Sequence, residues 1–242
     1  MSVHVGTSGW SYDHWTHVLY PEGLPARARL DRYVAHFGTV ELNSSYYRWP
    51  KDAAFARWRR RLPPGFVLSV KAPGLLTHVR RLYGPERWLA RIGRAFDRLG
   101  DRRGVLLVQL SPKLEVDEPR LAWFLAHVPA GVRVAVEMRH PSWHRESVFA
   151  LLARHGAAYC VMSGAGLPCV LRATARTVYV RLHGPDPHHL YAGSYPEADL
   201  RWWAARIREW DGAGHDVFAY FNNDGEGNAV RNAARLRQLA GA

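Results

Sequence analysis

Eight short apolar runs recur along the chain, most of them separated by 10–15-residue stretches of helical periodicity. The runs are 3–7, 39–43, 67–71, 104–109, 133–137, 158–162, 177–183 and 216–221. Strands alternating with amphipathic helices build βαβ units and a parallel sheet. Eight such units need about 250 residues to close into a (β/α)₈ barrel, and the chain has 242. An open doubly wound sheet is the alternative, but no GxGxxG follows the first run, so a dinucleotide fold has little support. No linker or shift in composition divides residues 1–242, and one domain is expected.

The intervening segments carry helix signals. Leu89, Ile92, Phe96 and Leu99 form one apolar stripe, closed by Gly100 as a residue just past a helix end. Leu200, Trp203, Ile207 and Trp210 form another. Pro119 follows Asp117 and Glu118 at the place of a first helical turn. Segment 163–176 is short and glycine-rich, which predicts a reduced or missing sixth helix.

Strand alternation sorts the side chains. Val40 and Leu42 share one face; Thr39, Glu41 and Asn43 share the other. The same split sets Ser69 and Lys71 against Leu68 and Val70, and Glu137 and Arg139 against Val134 and Val136. It also sets Tyr179, Arg181 and His183 against Val178, Val180 and Leu182. Parallel strands covered on both faces should read as unbroken apolar runs. These instead carry charge towards their C-terminal ends, where barrel active sites lie. A buried charge needs a partner, so the charged residues are expected to pair. They form either a structural ion-pair network or a functional site.

The loops after these strands are rich in aromatics and amides: Trp10 after the first; Tyr46 and Tyr47 after the second; Trp143 after the fifth; Asn222 and Asn223 after the eighth. Aromatic walls with a few polar groups suit a planar or sugar-like ligand. Seven segments, GTSGWSY (6–12), TVELNSSYYRWP (39–50), VKAPGLLTH (70–78), LVQLSP (107–112), VEMRHPSW (136–143), YVRLHG (179–184) and AYFNNDGEGNAVRNA (219–233), together resemble the YecE-like proteins, the domain of unknown function 72. The resemblance spans the whole chain. It implies a TIM-type barrel and no settled reaction. Ser111 and Met138 depart from the family pattern, and neither is a charged position.

These residues admit several chemistries. Glu41 and Glu137 form a candidate carboxylate pair for glycoside hydrolysis, which needs about 5–5.5 Å or about 6.5–9.5 Å between them. Cationic neighbours oppose the raised pKa that a general acid requires. Glu41, Glu137 and His183 are too few ligands among too many arginines for a metal cluster, so no metal and no cofactor is expected. A Schiff-base Lys71 is disfavoured by its charged surroundings. Anion binding fits better. Lys71, Arg139 and Arg181 would hold the anion, Glu41, Glu137 and His183 would move protons, and Gly184, Gly225 and Gly227 would let phosphate approach the backbone. Simple helix capping by Asp224 or Asn228 competes with that last assignment. The reading is a hydrolase- or lyase-type enzyme for a small anionic, nucleotide-like or nucleic-acid ligand.

The chain carries 33 basic and 21 acidic residues, a balance of +12, and only Lys51, Lys71 and Lys113 of the basic set are lysine. A non-catalytic nucleic-acid-binding barrel working through its arginine surface is therefore the competing reading. Arg87, Arg91, Arg94 and Arg98 would form one outer helical face, for which plain solvation is the default. Cys160 and Cys169 have no zinc or disulfide-framework spacing. No apolar run is long enough to span a membrane and no leader is evident, so a cytoplasmic location is expected.

Overall fold

A computed structural model describes residues 2–242. Its eight strands are β1 (Val3–Thr7), β2 (Thr39–Leu42), β3 (Val67–Lys71), β4 (Arg103–Gln109), β5 (Arg133–Glu137), β6 (Ala158–Ser163), β7 (Thr177–Leu182) and β8 (Asp216–Phe221). They form one sheet in the order β1-β8-β7-β6-β5-β4-β3-β2. The ladders β1/β8, β3/β4, β4/β5 and β5/β6 are parallel, and a parallel bridge from Ser8 to Glu41 ties the end of β1 to β2. This is the nearly closed TIM-type barrel that the alternation predicts. Observed and expected strands differ by one residue at most at either end.

The helices are α1 (Arg29–Val34), α2 (Asp52–Arg61), α3 (Glu86–Leu99), α4 (Glu118–Ala126), α5 (Glu146–Arg154), α6 (Glu197–Gly212) and α7 (Asn228–Ala240). No helix joins β6 to β7, as the glycine-rich segment predicts. The α3 stripe is buried, and Gly100 ends that helix at φ +55°. Asp117 caps α4 by accepting from the Arg120 N–H. Trp210 departs from its stripe: Leu200, Trp203 and Ile207 are buried, whereas Trp210 is only half-buried.

The chain falls into two compact units. One holds Met1–Glu41, Val161–Leu171 and Val178–Ala242; the other holds Leu42–Cys160 and Arg172–Thr177. The first is built on β1, β7 and β8 with α1, α6 and α7, and its core includes Val5, Tyr33, Val180, Phe218 and Leu236. The second is built on β3, β4 and β5 with α2 to α5, and its core includes Phe55, Val70, Phe96, Leu106, Phe124 and Val136. No described helix is long and apolar enough to cross a membrane.

Candidate functional site

In the first unit, the strand ends carry a buried network around Glu41. Its side chain accepts from Ser8 Oγ at 2.5 Å, Tyr179 OH at 2.7 Å, and Arg181 Nη2 and Nε at 2.8 and 3.1 Å. Arg181 Nη2 also reaches Ser8 Oγ at 3.3 Å. Alternation puts Tyr179 and Arg181 on one face of β7, and the bridge between Ser8 and Glu41 sets the carboxylate beside them. Ser8, Glu41, Tyr179 and Arg181 are all 0% exposed. Burial, then the Glu41 charge, holds the Tyr179 hydroxyl well above its ordinary pKa, so Tyr179 remains a donor. A carboxylate has about four acceptor sites, and four are used. The strand-end charges were expected to pair among themselves, and here Glu41 pairs with Arg181; these distances describe a saturated ion pair, without surface or a spare lone pair for acid–base work.

His183 is buried at the end of β7. Its Nδ1 lies 3.3 Å from Asn222 Nδ2, and its ring meets Tyr191 edge-on at 5.3 Å. Asn223 is not a wall of an open pocket. It is buried, and its Nδ2 donates to Gly193 O at 2.8 Å and Asn232 Oδ1 at 2.9 Å. These bonds fasten the loop after β7. Gly184 has φ +102°, and a Cβ there would lie 2.1 Å from Ala192 O. At Gly227, φ +75°, a Cβ would come within 2.8 Å of the Val18 side chain. Positive φ and close packing thus account for both glycines. At Gly225 a Cβ would meet nothing. Trp10 is half-buried, and its carbonyl accepts from Tyr20 OH.

The second unit carries another charged group at the ends of β3, β4 and β5. Gln109 and Glu137 are register partners, and Gln109 Nε2 donates to Glu137 Oε1 at 2.6 Å. Arg139 pairs with the same carboxylate, and Cys160 Sγ lies 4.0 Å from its other oxygen. Glu137 is fully buried, whereas Arg139 is only partly so. Ser45 Oγ donates to the carbonyls of Leu42 and Lys71, which fixes the loop after β2 beside β3. Lys71 Nζ then sits 4.5 Å from the centre of the Tyr46 ring. Gly74 lets that ring approach, because a Cβ there would come within 2.8 Å of it. Tyr47 stands edge-on to Tyr46 and is 82% exposed.

The sequence did not single out His78. Residues Leu75–Val79 form a π-type turn, with Arg80 N donating to Leu75 O at 2.9 Å. The turn brings the His78 ring to 5.0 Å from Tyr46, at 87°. Burial, then the charge of Lys71, lowers the imidazole's proton affinity; Arg139 adds to the effect and Glu137 opposes it. Trp143, expected among the pocket walls, is instead buried structure: its indole N–H donates to Leu114 O at 2.7 Å. Among the described residues, no three His, Cys, Asp or Glu side chains converge as metal ligands.

On the outer face of α3, Arg87, Arg94 and Arg98 are exposed. Arg94 pairs with Asp52 at 3.0 Å, and Arg91 lies over Trp88. His188 and His189 face solvent.

Residues 4–242 match the family described as "Protein of unknown function DUF72". The UPF0759 protein YunF of Bacillus subtilis is 26% identical over 98% of this chain and 94% of its own length. The UPF0759 protein YecE of Escherichia coli K12 is 28% identical over 58% of this chain and 50% of its own. Among solved structures, a DUF72 family protein of Thermotoga maritima superposes with a TM-score of 0.89 at 29% identity, covering all of both chains. SacUVDE shares the fold, with a TM-score of 0.61 at 9% identity over 99% of this chain and 98% of its own.

Proposed function

This chain belongs to the DUF72 family, whose shared property is a barrel without an assigned reaction, and on that footing we propose that it binds a small anionic ligand at the ends of β3 and β5 in the second unit. The ligand carries a phosphate or carboxylate and a flat, nucleotide-like part, and the protein acts on it as a hydrolase- or lyase-type enzyme. One observation carries the reading. Two cations, Lys71 and Arg139, act on a half-buried histidine against a single carboxylate, Glu137. The balance there is positive, and Gln109 shares Glu137 with Arg139. An anion is the partner such a balance favours. Tyr46 and the exposed ring of Tyr47 supply flat apolar surface for the rest of the ligand.

Calorimetric titration with inorganic phosphate and with a nucleoside 5′-monophosphate at low ionic strength tests this. Saturable binding is expected, weakened at least about tenfold in Lys71→Met and in Arg139→Met, the size of one charge-assisted hydrogen bond. Affinity unchanged in both variants, or no saturable binding, rejects the site.

A further inference from the structure

We propose that His78 is the proton acceptor of this anion site: a neutral imidazole that donates a hydrogen bond from Nδ1–H to Thr77 Oγ1 and keeps the Nε2 lone pair for a ligand held by Lys71 and Arg139. The inference rests on the anion site described above and adds a proton-transfer step to it.

The tautomer follows from counting protons. Thr77 Oγ1 lies 2.9 Å from His78 Nδ1 and 3.3 Å from the carbonyl of Pro73. A hydroxyl has one proton to give, and a carbonyl can only accept. Both contacts are hydrogen bonds in one arrangement only, with Thr77 donating to Pro73 and accepting from His78 Nδ1. That assignment comes from the network, as ring protons must. In the neutral ring it leaves Nε2 as the unprotonated nitrogen.

The surroundings keep the ring neutral and near the ligand's place. Tyr46, from the loop after β2, meets the imidazole at 5.0 Å and takes Lys71 Nζ over its own ring at 4.5 Å. Lys71 comes from β3, Glu137 from β5, and Arg139 lies two residues beyond it. These three are the charged groups that act on His78, and their sum opposes an imidazolium. An anion bound at Lys71 and Arg139 reverses that sum. A phosphate monoester is the matched ligand class, because its second proton leaves at a pKa of about 6, close to that of imidazole. The transfer is then simple: the ligand's O–H proton moves to Nε2, the negative charge stays on the ligand oxygen between the two cations, and the imidazolium faces the new anion.

Nuclear magnetic resonance of the full chain with ¹⁵N-labelled histidine rings tests this. At pH 7, without ligand, His78 is expected as the Nδ1–H form with a titration midpoint below 6.5. Lys71→Met should raise that midpoint, and saturating inorganic phosphate should raise it in the unmodified protein. Thr77→Val should shift the ring towards the Nε2–H form. A majority Nε2–H form in the unmodified protein, or a midpoint that phosphate leaves unmoved while it binds, overturns the role of His78 and leaves the anion site standing. Failure of phosphate to bind at all removes the site, and the role with it.

Discussion

A carboxylate that accepts from Ser8, Tyr179 and two nitrogens of Arg181 is built to stay where it is. Arg181→Met should leave Glu41 as an uncompensated buried charge. Breaking such a pair costs about 3–5 kcal/mol, so urea melts should show a loss of that order. A loss under about 1 kcal/mol would mean that water reaches Glu41. Two histidines set a different dependence. Burial lowers the proton affinity of His78, aided by Lys71 and Arg139, and burial lowers that of His144, which a hydrogen bond to Pro141 O partly offsets. Below the ordinary histidine value of about 6.5 the unfolded chain then binds more protons than the folded one, so stability falls as the pH falls. Their contribution is complete above that value and is lost as the pH drops through the lowered folded values. Thermal melts from pH 7 to 5 should fall, and His78→Gln with His144→Gln should fall less over the same interval.

Elements were legible wherever periodicity set them. Eight short apolar runs marked the strands, and the Leu89 to Leu99 stripe marked α3. Alternation also put Glu41, Lys71, Glu137 and Arg181 on polar faces. What alternation could not supply was the loops. Nothing in LLTHV announces a turn with a bond from residue i to i+5, so His78 stayed hidden; the signals were its place at the end of the segment VKAPGLLTH and Gly74 before it. Trp143 misled because an aromatic after a strand can face outward or back to Leu114 O. The glycines show the same limit, since sequence does not tell close approach to phosphate from close approach to backbone. Gly184→Ala places a methyl group 2.1 Å from Ala192 O at φ +102°, and should cost about 1–3 kcal/mol or more from strain. Gly225→Ala has open space around it and should cost within about 0.5 kcal/mol. Chemical denaturation of the two variants, with phosphate titration of Gly225→Ala, separates a structural glycine from a ligand-facing one.

At the scale of the whole molecule, the balance of +12 acts through numbers rather than through one site. Such a charge attracts any polyanion, and the attraction weakens as salt replaces released counterions, with a slope of about −0.9 per neutralised phosphate on duplex DNA. Arg87, Arg94 and Arg98 are exposed on α3, so an electrostatic surface would draw on them. Lys71 is nearly buried against Tyr46, so it contributes little to a long-range surface and much to a bound ligand. The two kinds of binding therefore separate by variant. Reversing Arg87, Arg94 and Arg98 to glutamate should flatten the salt slope for duplex DNA by about one unit per lost phosphate contact. The same triple change should leave phosphate affinity within about twofold at fixed salt, because screening over about 8–10 Å isolates the outer helix face. Lys71→Met should do the opposite, weakening phosphate and leaving the DNA slope as it was. Fluorescence anisotropy with a labelled duplex at four salt concentrations, beside phosphate calorimetry, reads both. Parallel losses in the two assays would place the anion site on the arginine surface and remove the distinction drawn between them.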